Sequence, residues 1–183
     1  MKQLVYVYIS EVNGCNTALP SYIDEKKMTN EKVLSEKRTA YSLLYKAAKE
    51  IFDIDMDIQK LTKTENGKPV YPDFCFSLSH SKGVCAAAIS KENVGVDIEE
   101  EICTERTERI RKKILHKNES PDTDITELWT KKEAVFKLKG DKIFVGCEID
   151  TTAYHTESKF VFLNNKKYTV TAATNNSTEI IWK

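Results

Sequence analysis

The apolar pattern opens with Leu4-Val5-Tyr6-Val7-Tyr8-Ile9, a β-branched and aromatic run that predicts a buried strand. A polar stretch containing Gly14 and Pro20 follows. From Ser35 to Phe52 the period changes: Ala40, Leu43, Leu44, Ala47, Ala48 and Ile51 recur at i, i+3, i+4, i+7, i+8 and i+11, one face of a helix, with Ser35 as its expected N-cap. Asn66-Gly67-Lys68-Pro69 signals a turn. Short strands are expected at Phe74 to Leu78, Val84 to Ile89 and Val94 to Glu99. A basic amphipathic helix, capped by Thr104 or Thr107, should reach Leu115 before Ser120-Pro121-Asp122 breaks the chain. A second strong helix is expected from Thr126 to Lys139, seated on the core by Trp129 and Phe136 and stopped by Gly140. The tail predicts strands at Phe160 to Leu163, Tyr168 to Ala173 and Glu179 to Trp182, with hairpin-type turns at Asn164-Asn165 and Asn175-Asn176. Strand, helix and hairpin thus occur once before about residue 90 and again after it. The pattern predicts an α+β protein of two similar lobes, residues 1–90 and 91–183.

Composition narrows the class. The 183 residues are 40% hydrophobic, enough for a core that buries roughly 70% of the unfolded surface without staples. Lys+Arg and Asp+Glu are both 28, so no general affinity for nucleic acid is expected. No run approaches the ~20 apolar residues of a membrane span, and Leu4 to Ile9 is too short for a signal-peptide core. The five cysteines (Cys15, Cys75, Cys85, Cys103 and Cys147) show no metal or disulfide spacing, which suits reduced thiols in the cytoplasm.

Three segments carry candidate chemistry. In Gly95-Val96-Asp97-Ile98-Glu99 the strand period turns Val94, Val96 and Ile98 to the core, and Asp97 and Glu99 together to the other face. Side-by-side carboxylates repel, and a hard divalent cation relieves that repulsion; solvated acids at a strand end are the plainer reading of the pentapeptide alone. In Trp129-Thr130-Lys131-Lys132-Glu133-Ala134-Val135-Phe136-Lys137, Glu133 and Lys137 share a helix face. They read either as a surface ion pair or as a third metal carboxylate and a phosphate-facing charge. In Phe76-Ser77-Leu78-Ser79-His80-Ser81 the serines share one strand face and His80 ends it. Hydroxyls, amides and an imidazole there could hold a phosphate, or simply form a hydrogen-bonded turn. No G-x-S-x-G elbow surrounds Ser79, so no nucleophile is assigned to it.

Taken in order, these segments resemble the 4′-phosphopantetheinyl transferase superfamily, which shows a G-[IV]-D-[IV]-E element followed by [FW]-[SCT]-x-K-E-[AS]-x-x-K. The spacing from Asp97 to Glu133 is 36 residues. Gly67-Lys68-Pro69, Ser79-His80-Ser81 and Arg38 with Leu43-Leu44 are similar to elements of the larger, surfactin-synthetase-activating branch. The resemblance covers about residues 30 to 146. It departs where the family continues G-x-G and this chain has Gly140-Asp141-Lys142.

The resemblance implies an enzyme that moves the phosphopantetheine arm of coenzyme A to a serine of an apo acyl or peptidyl carrier protein, releasing adenosine 3′,5′-bisphosphate. It implies Mg²⁺ on Asp97, Glu99 and Glu133, with Glu133 as general base and Lys137 balancing phosphate charge. Arg38, Lys68, Ser79, His80, Asp97 and Lys137 would contact coenzyme A, and Lys26, Lys27 and Lys32 are candidates for its 3′-phosphate. The implied fold is a pseudo-two-fold monomer, each lobe an antiparallel sheet with a packed helix and the site between them. The basic segment with Arg106, Arg109, Arg111, Lys112, Lys113 and Lys117 is either a solvated helix face or a docking face for an acidic carrier. A non-enzymatic coenzyme A-binding or carrier-binding module on the same fold is the alternative.

Overall fold

The apolar runs become strands wherever their alternating residues find a second layer. The computed structural model describes residues 3–183, apart from the side chains of Lys26, Thr104 and Arg106. The possible contact from Lys26, the Thr104 cap and the docking role of Arg106 therefore lie outside the described residues. The order is β1 (Leu4–Glu11), α1 (Glu31–Phe52), β2 (Thr62–Lys63), β3 (Pro69–Val70), β4 (Cys75–Ser81), β5 (Val84–Ser90), β6 (Gly95–Glu100), α2 (Thr104–Ile114), α3 (Ile125–Lys139), β7 (His155–Leu163), β8 (Lys166–Thr174) and β9 (Glu179–Trp182).

One sheet has the order β4-β5-β1-β9 and another the order β6-β8-β7. Val5, Val7, Val84, Ala86 and Ala88 from the first meet Val96, Ile98, Tyr168, Val170 and Ala172 from the second in one buried cluster. The opposite face of the first sheet, with Tyr8, Phe76 and Ile89, is covered by Tyr41, Leu44, Ala47 and Ala48 of α1. The opposite face of the second is covered by Ala134, Val135 and Leu138 of α3. Strand pairing repeats: β5 lies between β4 and β1, and β8 between β7 and β6, all antiparallel.

Several local expectations change. Helix α1 starts at Glu31, not Ser35, because the Asn30 side chain accepts from the backbone N–H groups of Lys32 and Val33. Helix α2 has Cys103 at its N-cap, without a side-chain capping bond, and Thr107 lies inside the helix, donating to the Cys103 carbonyl, rather than capping it. Helix α3 is capped by Asp124 and ends at Gly140, whose φ of 69° permits the left-handed stop. Asn164-Asn165 turns the β7–β8 hairpin, with φ of 51° and 59°. Asn175-Asn176 does not turn a hairpin: β9 leaves the second sheet and pairs in parallel with β1. The first sheet is therefore mixed, because the chain's last strand fills the edge beside Leu4 to Val7 and buries Ile180 there. Trp129 and Phe136 sit at the margin of the core; their rings close on Phe144 at 5.6 and 5.4 Å.

Candidate active site

The site forms where β6, β4 and α3 meet. Val94, just before β6, and Val96 and Ile98 on it are fully buried, which turns Gly95, Asp97 and Glu99 toward α3. The helix approaches so closely that a Cβ on Gly95 would stand 1.9 Å from the Ala134 carbonyl oxygen. This contact brings Glu133 and Lys137, one turn apart, over the β6 carboxylates. From the other side, β4 docks through its serines: Ser77 Oγ accepts from the Val96 N–H at 3.0 Å, and Ser79 Oγ from the Ile98 N–H at 3.3 Å.

Asp97 is 3% exposed. Its Oδ1 accepts from Ser79 Oγ at 2.7 Å and from Lys137 Nζ at 2.7 Å, while Lys137 also donates to Ser79 Oγ at 2.9 Å. Its Oδ2 is buried without a hydrogen-bond partner. Ser81 Oγ donates to Glu99 Oε2 at 2.6 Å. Burial pushes Glu99 above the usual carboxylate range; the Ser81 bond opposes this, Asp97 adds to it and Lys137 offsets it. Burial, then Asp97, then Glu99 raise Glu133 to about 7 against the pull of Lys137.

Three acids thus feel one another across a small space; Lys137 bonds to Asp97 and acts on both glutamates, and Lys82 acts on Glu99. Among the described residues, no three His, Cys, Asp or Glu side chains converge into a formed metal site. The chemistry of Asp97, Glu99 and Glu133 nevertheless fits a hard cation. All donors are oxygen, one buried oxygen of Asp97 lacks a partner, and both glutamates resist ionisation without added positive charge.

The remaining expected contacts divide. Lys68 lies against Gly140 and donates to the Leu138 carbonyl at 3.0 Å, so it caps the end of α3; burial pushes its amine below the usual range. Arg38 is paired with Glu25 at 2.7 Å. His80 Nδ1 lies 3.0 Å from Glu36 Oε2. A cavity of about 310 Å³ reaches from Lys137 and Gly140 to Gly67, Pro69 and Leu78. A second, of about 220 Å³, shares Gly67, Pro69 and Leu78 and continues to His80, Lys37 and Lys63. Lys27 is paired with Asp24 at 3.1 Å, and Lys32 is exposed at the start of α1.

Some organising residues lie outside the motif readings. Asn66 Nδ2 donates to the Gly140 carbonyl at 3.0 Å and fixes the turn beside the cleft. Lys132, beside Glu133 in sequence, points the other way: it is fully buried, donates to the Ile149 carbonyl and pairs with Glu119 at 2.6 Å. Glu119 also accepts from the backbone N–H and the hydroxyl of Thr151, tying the segment after α2 and the segment before β7 to α3. The i, i+1 alternation of Lys132 and Glu133 is the available signal, since a helix cannot turn both residues to one face.

The fold and this site define an α/β protein with clustered carboxylates beside a cleft. Comparison with known proteins agrees: residues 93–179 match the family model of the 4′-phosphopantetheinyl transferase superfamily. The chain is also similar to 4′-phosphopantetheinyl transferase gsp of Aneurinibacillus migulanus, 31% identical over 120 residues, which cover 60% of this chain and 50% of that protein. The aligned stretch spans about half the length of that relative. With the motif series, these matches make the chain similar to the 4′-phosphopantetheinyl transferase superfamily over about half of its length.

Proposed function

We propose that this protein transfers the phosphopantetheine arm of coenzyme A to a serine hydroxyl of an apo acyl or peptidyl carrier protein. The carrying observation is the Asp97–Ser79–Lys137 cluster, with the Glu133 carboxyl raised to about 7, beside two cavities that share Gly67, Pro69 and Leu78. The second cavity, lined by Lys37, Lys63 and His80 and adjoining the first, suits a ligand with phosphates at separate points. The G-K-P turn and S-H-S strand favour the larger, surfactin-synthetase-activating branch. The repeated pairing of β4-β5-β1 and β7-β8-β6 supports two pseudo-two-fold lobes, residues 1–90 and 91–183, with β9 returned to the first. We further take the protein to act as a monomer in the cytoplasm; its five cysteines are unpaired thiols.

In the reaction, the carrier serine oxygen attacks the phosphorus bearing the pantetheine arm. A P–O bond forms there, and the P–O bond to adenosine 3′,5′-bisphosphate breaks. Glu133, whose carboxyl burial raises to about 7 before any cation binds, would take the serine proton. Lys137 can balance charge on the phosphates from its place beside Asp97. Ser79 fixes both Asp97 and Lys137, so it orders the cluster, and would contact coenzyme A from there. Asp97, Glu99 and Glu133 would hold Mg²⁺, which when bound neutralises pyrophosphate charge and makes its phosphorus more electrophilic. Arg38 and Lys68 would contact coenzyme A from the cleft margin, and Lys27 and Lys32 remain candidates for its 3′-phosphate. The exposed Arg109, Lys112, Lys113 and Lys117 would steer an acidic carrier toward the site.

The test is release of adenosine 3′,5′-bisphosphate from coenzyme A, followed by chromatography with an apo carrier present. Wild-type protein is expected to release it only with carrier and Mg²⁺, and Glu133→Gln or Lys137→Met to lose at least a hundredfold in rate. Full release by Glu133→Gln would remove Glu133 from the reaction. Coenzyme A binding without release across several carriers would favour the non-enzymatic module.

A further inference from the structure

Glu36 is a charged residue on the buried side of α1, and no motif of the sequence points to it. It is 5% exposed. Its Oε1 accepts from the Gly83 backbone N–H at 2.8 Å, and its Oε2 lies 3.0 Å from His80 Nδ1. Its backbone carbonyl accepts from Cys85 Sγ at 3.2 Å, which fixes this turn of α1 on β5. Both carboxylate oxygens are thereby committed, one to the β4–β5 turn and one to the imidazole. The ring lines the cleft beside Lys37 and Lys63.

An anionic carboxylate only accepts, so the ring nitrogen facing it must carry a hydrogen. The opposite nitrogen, Nε2, is then bare while the ring is neutral. Burial pushes the His80 pKa below its usual range; Glu36 opposes that, and Lys37 from α1 and Lys137 from α3 add to it. A neutral ring with a bare Nε2 repels a phosphate oxygen, whereas a ring protonated at Nε2 donates to it.

We propose that Glu36 is a positioning residue: it holds His80 with a proton on Nδ1, so that His80 takes up a second proton on Nε2 when a phosphate group binds in the cleft. The proton comes from solvent and forms an N–H bond at Nε2; no bond between heavy atoms changes. The phosphate part of this proposal rests on the coenzyme A reading above; the tautomer part does not.

Long-range ¹H–¹⁵N NMR of the ligand-free protein, above the histidine titration, reads the tautomer directly. The chain has three histidines, and His80→Asn assigns the signal. The expected result is hydrogen on Nδ1 in the wild type. In Glu36→Gln the single amide oxygen goes to Gly83 and the NH₂ faces the ring, so hydrogen should move to Nε2. Calorimetry with coenzyme A in buffers of different ionisation heat should show proton uptake by the wild type and its loss in Glu36→Gln. The KM for coenzyme A should rise about tenfold in that variant with kcat nearly unchanged, the effect of losing one charge-assisted hydrogen bond. Hydrogen on Nε2 in the wild type overturns the proposal without needing any variant. Coenzyme A bound with no proton uptake overturns the linkage. Absence of coenzyme A binding to the wild type overturns the ligand reading instead, with the tautomer still deciding the role of Glu36.

Discussion

Gly95→Ala should damage the site more than the fold. An added Cβ would lie 1.9 Å from the Ala134 carbonyl oxygen and 2.7 Å from the Leu138 backbone nitrogen. Both are backbone atoms of α3, so no side chain can rotate away. Reaching even 3.0 Å from the oxygen requires the helix and strand to separate by about 1.1 Å. Overpacking of this kind costs about 3 kcal/mol, which a chain of this size can survive. The same displacement carries Lys137 and Glu133 away from β6 and stretches the 2.7 Å contact between Lys137 and Asp97 beyond hydrogen-bonding range. A misplacement of about 1 Å commonly costs on the order of a hundredfold in rate. Urea unfolding measures the first effect, and carrier modification under saturating coenzyme A the second. A variant that folds with wild-type stability and turns over at the wild-type rate would refute the argument that this glycine sets the distance between helix and carboxylates.

Other perturbations separate stability from chemistry. Glu133 is held at about 7 in the folded chain against an ordinary 4.5, so between those values the native state binds the extra proton. Its contribution to stability is therefore complete below about pH 4.5 and lost as pH rises through about 7. In chelator, Glu133→Gln should be more stable than the wild type at pH 8, an advantage that shrinks toward pH 5; thermal unfolding across this range checks it, and a variant less stable at pH 8 would contradict it. Lys132→Met strands the buried Glu119 carboxylate and should cost about 3–5 kcal/mol in urea unfolding, whereas an unchanged midpoint would deny the pair a structural role. Lys68→Met should lose about 1 kcal/mol through the uncapped end of α3, with a fall in kcat accompanying it if the cap also fixes Lys137.

Local periodicity made much of the site legible. Alternation from Val94 to Glu99 separated Val94, Val96 and Ile98 from Asp97 and Glu99, and helical spacing put Glu133 and Lys137 on one face. Alternation on β4 likewise set Phe76 and Leu78 against Ser77 and Ser79, though not the fact that those serines would bond the β6 backbone. What stayed hidden depends on partners distant in sequence. The parallel pairing of β9 with β1 joins the two ends of the chain, and no hairpin signal encodes it. Glu36 and Lys132 were given no place by the sequence patterns; only packing shows that each is buried against specific partners. The Asn30 cap was obscured because the first turn of α1 carries little of the apolar stripe on which the expected boundary rested.

The central claim is tested most directly by intact-protein mass spectrometry of an apo carrier domain incubated with coenzyme A, Mg²⁺ and this protein. The expected result is a gain of one phosphopantetheine group, abolished by a chelator, by Ala at the carrier's acceptor serine, and by Glu133→Gln here. An unchanged carrier mass across fatty-acid, polyketide and peptide carriers, with the protein folded and coenzyme A bound, would contradict it.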